Sequence, residues 1–454
     1  MSQLSQGPIH VVGIPYVPGR AQGRLQQGTA QASPGDILVV TQRELGRFAQ
    51  RPAGVLVVEG APFSHGMIEL RGLGVPAAII SAAQAALLQF GTLVLLDGAT
   101  GLVTTDLGAG QEGPAAPTAA VPGQLLLSAD GGAILLRASV RTTTAARHAL
   151  LAGAESIGLV RSEFLLPPGN AVPTEGFYRH AFTELCSAAA PLPVTVRLLD
   201  LAADKMPGWL APSRPAAGVL GLQGARLFGV SEVGEVLRAQ LAALDALASR
   251  FELRVLIPYL VRFEELRHWA GYVRQRLSSP IPIGAMAETP AAALDLANWL
   301  EIADFAALGC NDLMQCLFAA DRDRPELRDY LDPYAPVLYR LLLQVAEAVQ
   351  ADLDRVQVCG VLPQLPGVLP ILIGMGYRAF SVDAGLIPFL AQAVRQTRVA
   401  EAERLAEAVC AAKESRQVAE IAGLADGGRM PFLRGVPDGE WLEPTSSERG
   451  GWRI

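Results

Sequence analysis

Apolar runs of strand length alternate with helically spaced stretches through most of the chain. Between about residue 124 and residue 400 eight such runs occur, at 134–140, 156–160, 193–199, 254–259, 281–286, 304–308, 356–360 and 379–382. They are short and mostly apolar, as expected of strands covered on both faces. Between them apolar positions recur at helical spacing, for example over 142–152, 177–188 and 338–349. A helix between two strands makes those strands parallel, so their C-terminal ends share one face. Eight strand-then-helix units fit an α/β fold of the (β/α)₈ barrel type, with an open doubly wound sheet as the alternative.

Residues 1–107 read as a separate, smaller α/β domain. Its strands are expected at His10–Ile14, Ile37–Val40, Val55–Val58, Ala77–Ile80 and Leu93–Leu96, with short helices over 42–50, 64–72 and 82–89. Gly and Pro punctuate these segments. Residues 108–123 (GAGQEGPAAPTAAVPG) are rich in Ala, Pro and Gly, which predicts an extended linker that lets the first domain move. The second domain should run over 124–426, and 427–454, rich in Gly, Pro and charge, reads as a loosely ordered tail.

Composition narrows the function. Half of the 454 residues are hydrophobic and 18% are charged, with a net charge of −7 and no basic run. That argues against nucleic acid as a partner. The five cysteines (186, 310, 316, 359 and 410) show neither a zinc-site nor a disulfide-framework spacing. With no secretory signal and no bilayer-length apolar run, a cytoplasmic protein that does not engage membranes is the expectation.

Polar residues then fall where a barrel would need them. The stretch Ile281–Arg324 reads as strand, loop, helix, strand, loop, with Thr289 and Pro290 opening the helix and Gly309 opening the second loop. Glu288 and Asp312 each lie just beyond a strand. Two carboxylates at neighbouring strand ends can share a hard divalent cation, and Mg²⁺ suits because it keeps water and substrate oxygens as its other ligands. Two solvated loop acids are the plainer alternative. Arg161 and Glu163 follow the second strand, and Arg197, Asp200, Asp204 and Lys205 lie in or after the third. Asn311 and Arg322 accompany Asp312, and Cys359 ends the seventh strand. Any one of these could be a surface charge or a buried cysteine; together they point to one face. Arginines beside carboxylates suggest a multiply anionic ligand, with a metal offsetting the repulsion between acid and anion.

In the first domain Ser64-His65-Gly66 opens a helix after the strand Val55–Val58. Ser64 can cap it. A group on His65 would then lie beside free backbone N–H groups, a setting that favours phosphate. Imidazole is a good nucleophile near neutral pH and can carry a phosphoryl group, although a lone surface histidine is the commoner reading of such a residue taken by itself.

The ordered motifs carry a specific resemblance. GAPFSHGMIELRGLGVPAAI in the first domain is followed by GLVRSEFLL, VRLLDLAADK, GLQGARL, IPYLVRFEELR, IGAMAETPAAA, GCNDLMQ, AADRDR and VCGVLP. In this order the chain resembles the phosphoenolpyruvate-utilising enzymes, and most of all enzyme I of the sugar phosphotransferase system, over nearly its whole length to about residue 400. The resemblance implies an N-terminal swivelling β/β/α phosphohistidine domain joined to a (β/α)₈ barrel that dimerises. His65 would take the phosphoryl group of phosphoenolpyruvate, and Glu288 and Asp312 would hold Mg²⁺. Arg161, Arg197, Asn311 and Arg322 would hold the phosphoryl group, with Arg226 assisting. Cys359 would protonate the enolate carbon to release pyruvate.

The departures are as informative. GIPYVPGRAQG runs straight into the next strand, so the helical domain by which enzyme I docks its carrier protein is expected to be absent, as is a nucleotide-binding domain. Gln223 stands where an arginine is usual, Ala202-Ala203 replace a glycine pair, Cys310 replaces a threonine and Val361 an acid. The acceptor is therefore open. A phosphotransferase with an unidentified acceptor protein is expected. A catalytic subunit of a split synthase or dikinase, served by a nucleotide-binding subunit, and a phosphoenolpyruvate sensor without turnover are the alternatives.

Overall fold

The computed structural model describes residues 9–29, 33–45, 48, 50–107, 125–167, 171–201, 206–210 and 220–424. The expected linker, the tail, Ala202-Ala203, Asp204 and Lys205 lie outside these residues.

The first unit is an eight-stranded sheet: β1 (His10–Val12), β2 (Ile14–Val17), β3 (Arg20–Gln27), β4 (Ile37–Thr41), β5 (Gly54–Val58), β6 (Ala77–Ile80), β7 (Leu93–Asp97) and β8 (Leu102–Thr104). Their spatial order is β1-β8-β7-β3-β4-β5-β6-β2. β3 to β6 run parallel through β4 and β5, while β7, β8, β1 and β2 pair antiparallel. Both faces are packed: Leu25, Ile37, Leu56 and Val94 on one side, Leu38, Val55, Met67 and Ile79 on the other.

Two strands here were not foreseen. β3 reads RAQGRLQQ and buries only Gly23 and Leu25, so it has no apolar run to announce it. β8 is three residues long. The first expected strand is two, because the chain breaks at Gly13, where a Cβ would sit 2.5 Å from the Ile79 carbonyl oxygen. The helix expected over 42–50 is, in its described part, one 3₁₀ turn at Gln42–Glu44, closed by Glu44 accepting the Thr41 N–H at 2.7 Å. The helix over 82–89 is cut to Ala82–Ala85, and the chain then turns through Gly91 at φ +85°.

The second unit is a closed barrel. Its strands are β10 (Ala133–Val140), β11 (Ile157–Arg161), β12 (Val194–Arg197), β13 (Leu253–Leu260), β14 (Ile283–Ala287), β15 (Phe305–Gly309), β16 (Val356–Cys359) and β17 (Ala379–Asp383); a short β9 (Leu126–Leu127) adds antiparallel to β10. All eight pair parallel, and β10 pairs with both β11 and β17, which closes the ring. All eight expected strands are present, so the open sheet is excluded. The large core lies between strands and outer helices, where Phe182, Leu237, Trp299, Leu342 and Phe380 are buried. A small cluster fills the interior: Leu159, Leu256, Met286, Phe305, Ala307 and Cys359.

The stretch 281–324 differs in one respect that matters. Thr289 caps as expected, accepting the Ala292 N–H at 3.2 Å, with Pro290 in the first helical turn. Asn311 and Asp312 do not sit in a loop, however. They occupy the first turn of the helix Cys310–Leu317, which begins directly at Gly309.

The smaller unit packs over the C-terminal ends of the barrel strands. Phe63 and Ile68, 2% and 4% exposed, join the barrel's core. Arg141 donates to the Ile68 carbonyl at 3.0 Å, and Arg328 pairs with Glu59 at 2.6 Å.

Candidate active site

At the C-terminal end of the barrel a cavity is lined by Arg141, Arg161, Glu288, Asn311, Asp312, Cys359 and Asp383, together with Ile68 of the smaller unit. The barrel side chains come from strand ends or, for Asn311 and Asp312, from the helix turn that follows β15, and two glycines leave room for them. A Cβ on Gly309 would lie 2.5 Å from Glu288 Cγ, so only glycine leaves room for that carboxylate. Gly360 has φ +98°, and a Cβ there would meet Asn311 Oδ1 at 2.8 Å.

Glu288 is buried and accepts the Tyr259 N–H at 3.0 Å. Tyr259 achieves this with φ +47°, a left-handed conformation at a bulge in β13. Burial, and then repulsion from Asp312 and Asp200, pushes the Glu288 carboxyl up to about 8. Asp200 is also shifted up, by burial first, although Arg197 pulls it down. This surplus of buried negative charge is what a divalent cation relieves. Among the described residues no three His, Cys, Asp or Glu side chains form a cage for a metal. Mg²⁺ does not need one, because two carboxylates suffice when water and ligand oxygens complete the shell. Glu288 and Asp312 therefore fit a hard cation.

The arginines divide into three kinds. Arg197 is buried and already engaged: Nη2 lies 2.5 Å from Glu163, and Nη1 lies 2.7 Å from Asp200 and 3.9 Å from Glu288. Burial disfavours its charge, yet Asp200 and Glu163 outweigh burial and raise its pKa. Arg161 differs. Its Nε has no hydrogen-bond partner among the described residues, and burial, with repulsion from Arg141 and Arg197, pushes it down to about 10. A half-buried cation with a buried, unpartnered Nε is a seat for an anion. Arg226 is not brought to the cavity. It lies exposed, donating to the carbonyls of Gly221 at 3.2 Å and Leu220 at 3.5 Å, with its guanidinium 5.5 Å from the Tyr259 ring centroid.

Asn311 Oδ1 accepts the Val361 N–H at 2.9 Å. An N–H can only donate, so the oxygen faces Val361 and Nδ2 remains to donate to a ligand. The Cys359 thiol donates to the Leu308 carbonyl at 3.1 Å. Burial, and then the nearby Glu288, push its pKa up to about 12, so it stays protonated at neutral pH.

His65 meets this site across the contact between the units. It opens the helix His65–Leu73, with Ser64 at the cap position. Ser64 makes no capping hydrogen bond, and the His65 N–H donates instead to Asp323 Oδ1 at 2.9 Å. The expected free N–H is thus taken by an acid from the barrel. His65 Nδ1 lies 2.8 Å from Asp323 Oδ2, and Nε2 lies 2.8 Å from Arg322 Nη2. Arg322 also reaches Asp312 at 3.2 Å. Burial lowers its pKa, but Asp312 and Asp323 outweigh burial and raise it. One guanidinium therefore joins the imidazole to Asp312, one of the two candidate metal carboxylates.

Sequence reasoning missed Asp323, Tyr259 and Arg141. Asp323 stands between two arginines and reads as a surface charge. Tyr259 acts through its backbone, and only a φ value exposes it. Arg141 lies at a strand end, the one signal that could have flagged it.

Most of the chain is similar to known proteins. Residues 116–399 match the family model described as PEP-utilising enzyme, PEP-binding domain, and residues 32–101 match the one described as PEP-utilising enzyme, mobile domain. The phosphoenolpyruvate-protein phosphotransferase of Streptomyces coelicolor is 32% identical over 374 residues, covering 80% of this chain and 66% of that protein. The multiphosphoryl transfer protein of Xanthomonas campestris pv. campestris is 30% identical over 393 residues, covering 82% of this chain and 46% of that protein. A phosphoenolpyruvate-protein phosphotransferase of Haloferax volcanii is 30% identical over 388 residues, 82% of this chain and 68% of the relative. The chain thus spans less than two thirds of the first two of these relatives. With both domain models matched, it belongs to the PEP-utilising enzyme family.

Proposed function

We propose that this chain moves the phosphoryl group of phosphoenolpyruvate onto His65, releases pyruvate, and passes the group on to an acceptor protein. The observation that carries this reading is the meeting of His65 with Arg322 and Asp312, beside a cavity that also holds Arg161, Asn311, Glu288 and Cys359. Glu288 and Asp312 would hold Mg²⁺, whose charge offsets the repulsion between these acids and an anionic substrate.

The roles follow from the side chains. Arg161 receives the phosphoryl oxygens with a guanidinium whose Nε has no hydrogen-bond partner among the described residues, and Asn311 Nδ2 donates beside it. His65 Nε2 forms the N–P bond as the bond from phosphorus to the enol oxygen breaks, and the enolate leaves with that electron pair. Cys359 gives its S–H proton to the methylene carbon, forming pyruvate, and the thiolate regains a proton from water. Positioning and charge neutralisation do most of the work, as phosphoryl transfer requires. Arg197 acts in this reading by holding Glu163 and Asp200 in place while adding positive charge to the cavity wall.

The reading includes residues 1–107 as the swivelling unit and a homodimer through the barrel, both on the strength of the resemblance, and a cytoplasmic location on the sequence features given above. Among the described residues no helix is long and apolar enough to cross a membrane. Binding without turnover is the second reading, favoured by Gln223 and by the outward turn of Arg226. Intact mass after incubation with phosphoenolpyruvate and Mg²⁺, with pyruvate assayed in parallel, separates the two. One acid-labile phosphoryl group, matched by pyruvate and lost in His65→Ala, is expected. An unchanged mass with phosphoenolpyruvate bound overturns turnover and selects the sensor.

A further inference from the structure

Arg322 and Asp323 are adjacent in the chain, opposite in charge, and reach the same imidazole from opposite sides. Asp323 contacts His65 twice, once at the ring and once at the backbone. Oδ2 lies 2.8 Å from His65 Nδ1, and Oδ1 accepts the His65 backbone N–H at 2.9 Å. The acid is itself fixed: its own N–H donates to Asp321 Oδ1 at 3.0 Å, and Gln42 Nε2 donates to its carbonyl at 3.4 Å. Burial works against its charge, but the side-chain and backbone hydrogen bonds from His65 and the charge of Arg322 act the other way, and its carboxyl lies below the usual range. It is therefore an anion at neutral pH.

Hydrogen-bond chemistry then selects one ring form. A carboxylate can only accept, so the proton belongs on Nδ1. A guanidinium can only donate, so Nε2 must offer its lone pair to Arg322 at 2.8 Å. Imidazolium and the Nε2–H tautomer would each set a donor against a donor there. The neutral Nδ1–H tautomer is the one form that satisfies both neighbours.

We propose that Asp323 is the positioning residue for His65: it fixes the ring as the Nδ1–H tautomer, so that the nucleophilic lone pair is on Nε2 and faces the barrel site. This rests on the reading of His65 as the phosphoryl carrier. During transfer the N–P bond forms at Nε2, the P–O bond to the enol oxygen breaks, and the enolate carries away its electron pair. The Nδ1 proton stays where it is. The ring gains positive charge, and the Asp323 carboxylate stands beside the nitrogen that shares it. The backbone hydrogen bond adds orientation, because ring and main chain of one residue are gripped by one carboxylate. Asp323 acts through His65 and need not touch the substrate.

The test is tautomer-resolved ¹⁵N NMR of the full chain labelled at histidine, with the His65 signals identified by their loss in His65→Ala. Wild type should show Nδ1 protonated and Nε2 bare. Asp323→Ala should populate the other tautomer and slow single-turnover phosphoryl uptake at saturating phosphoenolpyruvate by roughly a hundredfold or more, in the range expected for a lost proton-positioning group, with KM little changed. Asp323→Asn, whose amide oxygen can still accept from Nδ1–H, should restore the tautomer and part of the rate. A bare Nδ1 in wild type overturns the proposal, and so does Asp323→Ala with an unchanged tautomer and rate. If wild type takes up no phosphoryl group while the tautomer still depends on Asp323, the carrier function fails and the positioning role stands.

Discussion

A thiol works as an acid only if it keeps its proton until it is needed, and the setting of Cys359 suits the acid role proposed for it. It sits inside the barrel among Leu159, Leu256, Met286 and Phe305, donates to a carbonyl, and is pushed up to about 12 by burial and Glu288. Replacing it with alanine should slow pyruvate formation by roughly 10² to 10⁴, the usual weight of a general acid. Stopped-flow pyruvate detection checks this, and an unchanged rate would remove Cys359 from the mechanism. The same burial predicts that iodoacetamide labels Cys359 negligibly at pH 7.5 in the folded protein. At this scale the sequence exposed identity but not circumstance. His65, Glu288, Asp312 and Cys359 could be picked out by type and position. That Arg197 is engaged by acids, Arg161 is not, and Arg226 turns outward depends on distances no motif contains.

At the level of elements the barrel was legible because each strand is a compact apolar run with a helix after it. The small sheet was less so, since β3 is polar along most of its length and earns its place by pairing rather than by burial. Strand ends also set the electrostatics. β14 and β15 bring Glu288 and Gly309 into contact, and the helix that starts at once after β15 adds Asp312. Glu288 is shifted from an ordinary value of 4.5 up to about 8, so the folded state holds a proton there that the unfolded chain releases. A raised folded-state pKa contributes stability that is full below about 4.5 and is lost as pH rises towards 8. Thermal unfolding of the metal-free protein should therefore show this group's contribution falling across that window, and Glu288→Gln should flatten the fall. Mg²⁺ competes with the same proton, so its affinity should rise by up to about tenfold per pH unit below 8. Calorimetric titration of Mg²⁺ at three pH values, with proton release measured in two buffers, checks this. An affinity independent of pH would take Glu288 out of the metal site.

At the scale of the whole molecule, the proposed carrier unit is held against the barrel through several contacts. The contact is mixed. Phe63 and Ile68 bury apolar surface, while Arg328–Glu59, Arg141 to the Ile68 carbonyl, and Asp323 with Arg322 around His65 supply charge. A carrier must leave after loading, so the grip should be adjustable, and charged contacts at a partly open seam are adjustable by salt and by the charge on the histidine. Placing a phosphoryl group on His65 puts new negative charge beside Asp312 and Asp323, which favours release from the acids, while Arg322 and Arg161 favour retention. The Arg328–Glu59 pair lies outside that balance. Its side chains are 22% and 41% exposed, so it contributes no more than about 1 kcal/mol, enough to shift a docked population up to about fivefold. Arg328→Glu should undock the unit measurably, with spin labels on the small sheet and the barrel reporting longer distances. Adding Glu59→Arg should recover part of the docked population, limited because Glu59 also accepts the Ala82 N–H at 2.9 Å. Phosphoryl uptake should fall with the docked fraction and return with it. Uptake that stays at the wild-type rate while the distances lengthen would mean that docking is faster than chemistry, and that the seam sets residence rather than rate.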